Sequence, residues 1–305
     1  MAGVINTGSH PKLLWPGVNA VWGQVYEEYE NEYQHLYEMR DSKKAYEQDV
    51  QVTGFGLAAV KAQGAPIQMD SEFQGFVTTY SHIAYALGYT VTHEEIEDNL
   101  YKEVATRRAK ANAFSCNQTI ENVAAFLYNN AFVTTFFTLP DGQALISNAH
   151  VNASGGTFSN ALTPGADLSE AALEDMSIQI MLATMDRGLR IKIMPKSLHI
   201  APQEWYNANR IMHSVLQNDT ANNAINVLKA TNAYPEGIKM NHFFTAPSAW
   251  FVRTNCPNGM TFFWRSKPQF DQDNDFDTKN AKAATYFRFS VGCTDPRGIF
   301  GSNGP

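Results

Sequence analysis

The sequence predicts an α+β fold, and two observations carry that expectation. Between His93 and Leu139 the chain has no glycine or proline, and Ile96, Leu100, Val104, Ala111, Ile120, Val123, Ala124 and Leu127 keep a helical period. On both sides of that stretch, short runs of apolar and β-prone residues are broken by Gly, Pro, Asn and Asp, the pattern of strands and turns. A helix of about 35 residues spans ~50 Å and is about three times the usual length.

The elements follow in order. Between Val18 and Met39, Trp22, Tyr26, Tyr29, Tyr33 and Tyr37 recur at steps of three and four, interleaved with Glu27, Glu28, Glu30 and Glu32. This spacing predicts one amphipathic helix in an N-terminal arm, whose aromatic stripe packs on its own domain or docks on a neighbour. Residues 45–91 read as a long hairpin-like excursion plus a strand, punctuated by Gly54, Gly56, Gly64, Pro66, Gly75 and Gly88. Thr92 is placed to cap a helix with Glu95 three residues on, and Glu94, Glu95, Glu97 and Asp98 fill its positive first turn, so the long helix starts near His93.

After a Gly- and Asn-rich segment over 141–165, Asp167 and Glu170 form a capping box for a helix running to about Arg187 and stopped by Gly188. LRIKIMPKSLHIAP alternates as a strand, and Pro202 opens a helix through about Val215. Ala224–Leu228 and His242–Arg253 add strand-like runs. The chain closes with TFFWRSKPQF and AKAATYFRFSVG, two strands joined by the acidic loop DQDNDFDTKN.

Composition narrows the function. Lys plus Arg number 23 against 30 Asp plus Glu, a formal charge of −7, which argues against a tight grip on DNA phosphates and leaves any nucleic-acid contact local. Charged residues are 17% of the chain against roughly 25% in typical domains, while aromatics reach 12%, the balance of a surface largely covered by other subunits. Cys116, Cys256 and Cys293 form no CxxC pair and read as free thiols of a reducing compartment. The N-terminus carries no secretory signal pattern, and the uncharged stretch from Asn122 to Pro140 is interrupted by Asn129 and Asn130, so no membrane span is expected.

Motifs for catalysis and cofactors fail on inspection. His93-Glu94-Glu95-Ile96-Glu97 lacks the second histidine of a zinc helix, and there is no GxSxG elbow and no GxxxxGK loop. Gly54-Phe55-Gly56 opens no helix, as a dinucleotide turn would. Asp271, Asp273 and Asp275 begin like a calcium loop, but Phe276 and Lys282 stand where glycine and glutamate are needed. No catalytic residue and no cofactor are therefore assigned. Together with Asp277, the three aspartates remain either a solvated turn with local ion pairs or an inter-subunit cation or salt-bridge site. Arg107, Arg108 and Lys110 form a basic cluster on the long helix, open to neighbouring subunits or to DNA phosphates.

The stretches LWPGVNAVWG, VTGFGLAAVKAQGAPI, YALGYTVTHEEIEDNLY, DLSEAALEDM, PEGIKMNHF and DNDFDTKNAKAATYFRFSVGCTDPRGIFGS together span nearly the whole chain. In them the chain resembles the major capsid protein of tailed bacteriophages, with the Hong Kong 97 fold. The resemblance implies an N-terminal arm over 1–44, an E-loop over 45–80 and a peripheral domain over 81–165 with its spine helix at about 93–129. It further implies an axial domain over 166–255, the remaining peripheral strands and loop over 256–290, and a C-terminal segment over 291–305 returning to the axial domain. It implies no enzyme but a structural subunit made in the host cytoplasm, assembling as hexamers and pentamers into an icosahedral virion capsid around double-stranded DNA. Expected partners are a separate scaffolding protein, since the arm begins at Met1, a portal and a decoration protein; no membrane is involved. Some members join Lys and Asn between subunits, which makes Lys61 in the E-loop and Asn274 or Asn280 candidates. An encapsulin-like nanocompartment shell is the alternative.

Overall fold

A computed structural model describes residues 15–304 except 29, 98–100, 217–223, 276, 277 and 279. Helix α1 (Trp15–Glu28) and the single turn α2 (Tyr33–Leu36) lead into strand β1 (Glu38–Asp41). A hairpin of β2 (Tyr46–Thr53) and β3 (Phe73–Ser81) follows, then β4 (Ile83–Val91), α3 (His93–Glu97) and the long helix α4 (Tyr101–Asn129). Beyond them come the two-residue strands β5 (His150–Val151) and β6 (Thr157–Phe158), helix α5 (Glu170–Met181), β7 (Pro195–Ile200), α6 (Trp205–His213) and α7 (Val227–Ala230). The chain ends in β8 (Ile238–Met240), β9 (Trp250–Thr254), β10 (Met260–Asn274), β11 (Ala281–Cys293) and β12 (Ile299–Ser302).

Two four-stranded sheets organise these elements. One has the order β1-β10-β11-β4, antiparallel except for the parallel β1–β10 pair; the other has the order β12-β9-β7-β8. The long helix lies against the first sheet and buries Ala109, Ala113, Cys116, Ile120 and Ala124. Small residues on that face let helix and sheet approach closely. Asn112 joins three elements to α4: its Oδ1 accepts Trp22 Nε1–H at 3.0 Å and the Thr285 hydroxyl, and its Nδ2 donates to Leu87 O at 2.9 Å. Around the second sheet, α5 and α6 cover a core that contains Leu173, Met176, Ile180, Leu198, Trp250 and Phe300.

The N-terminal aromatic stripe packs on its own chain, not as one helix but as two. Trp22 stacks between Tyr26 and Phe270 with centroids 5.2 and 5.5 Å away, and Tyr33 packs on Phe262 at 5.2 Å. The helix breaks because the Glu32 N–H is taken by the Glu121 carboxylate of α4 at 2.8 Å, after which residues 38–41 pair with Thr261–Trp264. Tyr37 is therefore extended rather than helical, and Tyr29 lies outside the described residues.

Other sequence expectations are corrected in detail. The Thr92 cap forms, its hydroxyl accepting Glu95 N–H at 3.3 Å, but residues 98–100 of the expected 93–129 helix lie outside the described residues. Ser169, not Asp167, caps α5, and that helix ends at Met181; Gly188, at φ +78°, closes a later turn. Residues 227–230 are helical because Asn226 caps them through Lys229 N–H. Over 242–249 no strand forms, since Asn129 donates to Phe243 O at 2.9 Å and accepts Thr245 N–H at 3.0 Å. Among the described residues, no helix is long and apolar enough to cross a membrane. The three cysteines are free thiols; Cys116 and Cys293 are buried and Cys256 is half-buried.

Candidate assembly surface

The hairpin β2–β3 leaves the body of the molecule between Ser42 and His82. Its strands pair from Tyr46↔Ser81 to Thr53↔Phe73 with a register shift between Val50 and Val52. Residues 54–72 then run without regular structure around a turn where Ala65 N–H reaches Ala62 O at 3.1 Å and Gly64 takes φ +78°. This end is strongly apolar and exposed: Leu57 is 87% exposed, Val60 101%, Ile67 69% and Met69 85%. Each such side chain gains about 1.5–3 kcal/mol when fully buried, so covering this end by a partner would be strongly favourable.

One clip holds the far end of the hairpin against its own body. Asp70 accepts the Gly56 N–H at 2.8 Å and Arg187 Nη1–H at 2.6 Å, while the Arg187 guanidinium sits 5.4 Å from the Phe73 ring centre. The Gly56 amide, then Arg187, hold the Asp70 carboxyl down at about 2. This contact fixes where the apolar tip is presented. Lys61 lies exposed in the same tip.

The acidic run is divided by the fold. Strand β10 continues through Asp271 and Asp273 to Asn274, so only 275–280 connect the strands, where a longer acidic loop was expected. Asp271 and Asp273 occupy one exposed face, Asp273 lies across from Lys282, and Lys282 pairs with Asp275 at 2.7 Å. Asp277 lies outside the described residues. Among the described residues, no group of three or more His, Cys, Asp and Glu side chains is arranged to hold a metal ion. Asn280 is engaged locally, its Oδ1 accepting His93 N–H at 3.1 Å, and Asn274 ends β10.

The basic cluster also divides. Arg108 grips both oxygens of Glu95 at 3.1 Å and donates to Thr90 O, tying α3 and β4 to the long helix. Arg107 and Lys110 are exposed.

Sequence reasoning missed two buried polar groups beside the middle of the hairpin, where Gln51 and Phe76 line one cleft with Asp141 and Arg297. His150 bonds Asp141 at 2.7 Å and Asn160 at 3.0 Å, and Asn160 also donates to Leu145 O and Ile299 O. Arg297 pairs with Asp186 at 3.0 Å and Asp295 at 3.3 Å and covers the Phe158 ring at 4.0 Å. Their partners lie as far as 139 residues apart, so no local spacing announces them.

A family model described as phage capsid protein matches residues 76–301. Solved structures with a similar fold include the capsid of a native GTA particle, with a TM-score of 0.55 at 10% identity over 98% of this chain and 91% of that one. Mycobacterium phage Patience gives 0.52 at 12% identity over 99% and 89%, and the capsid of Myoviridae phage XM1 gives 0.52 at 10% over 88% and 90%. No curated protein matches the chain.

Proposed function

The chain belongs to the phage capsid protein family and has the Hong Kong 97-type fold of tailed-phage major capsid proteins, a structural role, and from that premise we propose that it self-assembles as hexamers and pentamers into an icosahedral head enclosing double-stranded DNA. The observation that carries the reading is the hairpin of residues 46–81 with its exposed apolar end. A contiguous apolar patch of this kind marks a protein–protein contact, and a flexible extension that orders on a neighbour turns modest contacts into a stable shell.

In this reading the hairpin is the E-loop, α4 the spine helix, and the β1-β10-β11-β4 sheet the core of the peripheral domain. The β12-β9-β7-β8 sheet forms the axial domain. Asp271, Asp273 and Asp275 then face copies of the same chain at the end of the β10–β11 ribbon, where cations or basic side chains offset their repulsion. Arg107 and Lys110 face a neighbour or the packaged DNA. Scaffolding, portal and decoration proteins complete the assembly, and the subunit is made in the host cytoplasm. The family match to phage capsids favours a DNA-filled head over a protein-filled nanocompartment.

Negative-stain microscopy and light scattering test this on the chain expressed alone and with its scaffolding protein. Closed shells, or rings of six and five subunits, are expected. A monodisperse monomer or dimer under every condition would remove the reading.

A further inference from the structure

At the root of the hairpin one row of side chains joins the two chain crossings, Ser42 before β2 and His82 after β3; further along, Tyr80 and Asp49 both bond Thr294 Oγ1, at 2.6 and 3.1 Å, and Asp70 bonds Arg187. The His82 ring, 6% exposed, contacts Ser290 Oγ of β11 through Nδ1 at 2.9 Å and Ser42 Oγ through Nε2 at 3.1 Å. Ser42 in turn donates to Glu47 of β2 at 2.7 Å. The backbone is fixed at the same place, with Ser42 N–H bonded to Trp264 O at 2.8 Å and Arg288 Nε–H to His82 O at 3.2 Å.

We propose that His82 is the positioning residue of the hairpin root, a pivot whose neutral ring completes a one-way hydrogen-bond chain from Ser290 to Glu47 and whose protonation loosens that root, while the Thr294 and Arg187 contacts hold the rest of the hairpin. The direction of the chain follows from counting protons. A serine hydroxyl has one proton, and that of Ser42 is committed to the Glu47 carboxylate, so Ser42 Oγ accepts from His82 Nε2–H. Nδ1 is then the acceptor, and Ser290 is its donor. A second ring proton at Nδ1 reverses the Ser290 contact, so the Ser290 hydroxyl proton must rotate away, and it sets a buried positive charge beside Arg288, whose Nε–H already donates to His82 O.

The surroundings oppose the imidazolium. Burial, then Arg288 of β11, lower the His82 pKa, with Arg265 of β10 acting the same way; Glu47, itself paired with Lys44 at 3.1 Å, opposes them. A histidine whose folded pKa is lowered contributes its full stabilisation above about 6.5, its unfolded value, and loses it as pH falls through the folded value. The loosening of the root therefore belongs to mildly acidic solution.

Because the contact lies within one chain, its test is independent of shell assembly. Amide hydrogen exchange of the full chain at pH 7.5 and 5.5, corrected for intrinsic rates, is followed at the hairpin root, residues 46–48 and 79–81, with β9 as the internal reference. Wild type is expected to gain about tenfold in root exchange at pH 5.5 with β9 unchanged. His82→Gln, which keeps a donor and an acceptor but does not titrate, is expected to remove that pH response, and Ser290→Ala to give fast root exchange at both pH values. Root exchange in wild type that is the same at both pH values, or a full acid response in His82→Gln, overturns the proposal.

Discussion

Glu121 on α4 and Glu32 in the link between α1 and α2 set two carboxylates beside each other at the point where the N-terminal helix breaks. Glu121 Oε1 accepts the Glu32 N–H at 2.8 Å, while its Oε2 is buried with no hydrogen-bond partner among the described residues. Glu32 turns its own carboxylate outward to the backbone N–H of His242 at 2.8 Å and to the His242 ring. Burial pushes the Glu121 pKa up to about 7, and the Glu32 charge adds to the rise.

A carboxyl whose folded pKa is raised favours the folded state while it stays protonated. The chain is thus expected to lose stability as pH rises from about 4.5 to about 7, and to level off above that, with about 3 kcal/mol at stake. Glu121→Gln keeps the acceptor for Glu32 and carries no charge. Its melting temperature is expected to exceed that of wild type by several degrees at pH 8 and to match it near pH 4.5. Equal melting temperatures at pH 8 would show that water or a rearranged link already relieves the buried charge.

Arg297 is nearly fully buried and answers two carboxylates, Asp186 and Asp295, while its Nε donates to Thr184 O at 2.9 Å. Removing one partner of a buried pair leaves the other charge uncompensated, at a cost of about 3–5 kcal/mol. Arg297→Ala is expected to lower the urea midpoint strongly, whereas Arg297→Lys recovers only part because it cannot fork between two acids. A midpoint within error of wild type for the alanine variant would contradict this role.

Arg297 also explains where sequence reading ran out. The apolar period of α5 continues towards Gly188, and nothing local stops it at Met181. The stop lies in tertiary structure, where Thr184 O is taken by a side chain 113 residues away and Asp186 is drawn into the same ion pair. Glu121 acts alike on the N-terminal helix, 89 residues from the backbone it interrupts. What was legible rested on neighbours in sequence: the Thr92 cap, the run without Gly or Pro that becomes α4, and the paired runs that become β10 and β11. The acidic residues misled because Asp and Asn signal turns, whereas Asp271 and Asp273 sit on the exposed face of a strand, the second opposite Lys282. In the hairpin, the β-prone runs broken by glycine and proline were readable as an excursion; the exposure of its apolar tip and the His82 pivot, built from residues 40 and 208 positions apart, were not.

The basic cluster yields a contrast within one helix. Arg108 is forked onto Glu95 and anchored to Thr90 O, so Arg108→Ala is expected to cost about 1 kcal/mol in urea unfolding of the free subunit. Arg107→Ala and Lys110→Ala, both on exposed positions, are expected to stay within about 0.5 kcal/mol of wild type. Their effect is expected only in assembled shells, read as lower yield or altered salt dependence of assembly. A large loss for Arg107→Ala in the free subunit would place it in the fold rather than at a contact.

The hairpin tip separates folding from assembly most directly. Leu57, Val60 and Met69 each expose 85% or more of their surface and make no core. Replacing them by Asp adds charge where water already is, so the melting temperature of the free subunit is expected to change by no more than a degree or two. In the proposed shell those side chains would be buried at a neighbour, where an uncompensated carboxylate costs several kcal/mol and adds to the loss of apolar burial. Repeated around every ring, that penalty is expected to leave Leu57→Asp and Met69→Asp folded and soluble but unable to form closed particles under conditions that assemble wild type. Arg187→Ala offers the complementary readout: with the Asp70 clip gone, the tip stays apolar but is no longer held in place, so assembly is expected to slow rather than stop. Sedimentation velocity of the folded variants distinguishes the outcomes, since particles formed by the aspartate variants at wild-type yield would show that the tip faces solvent in the shell as well.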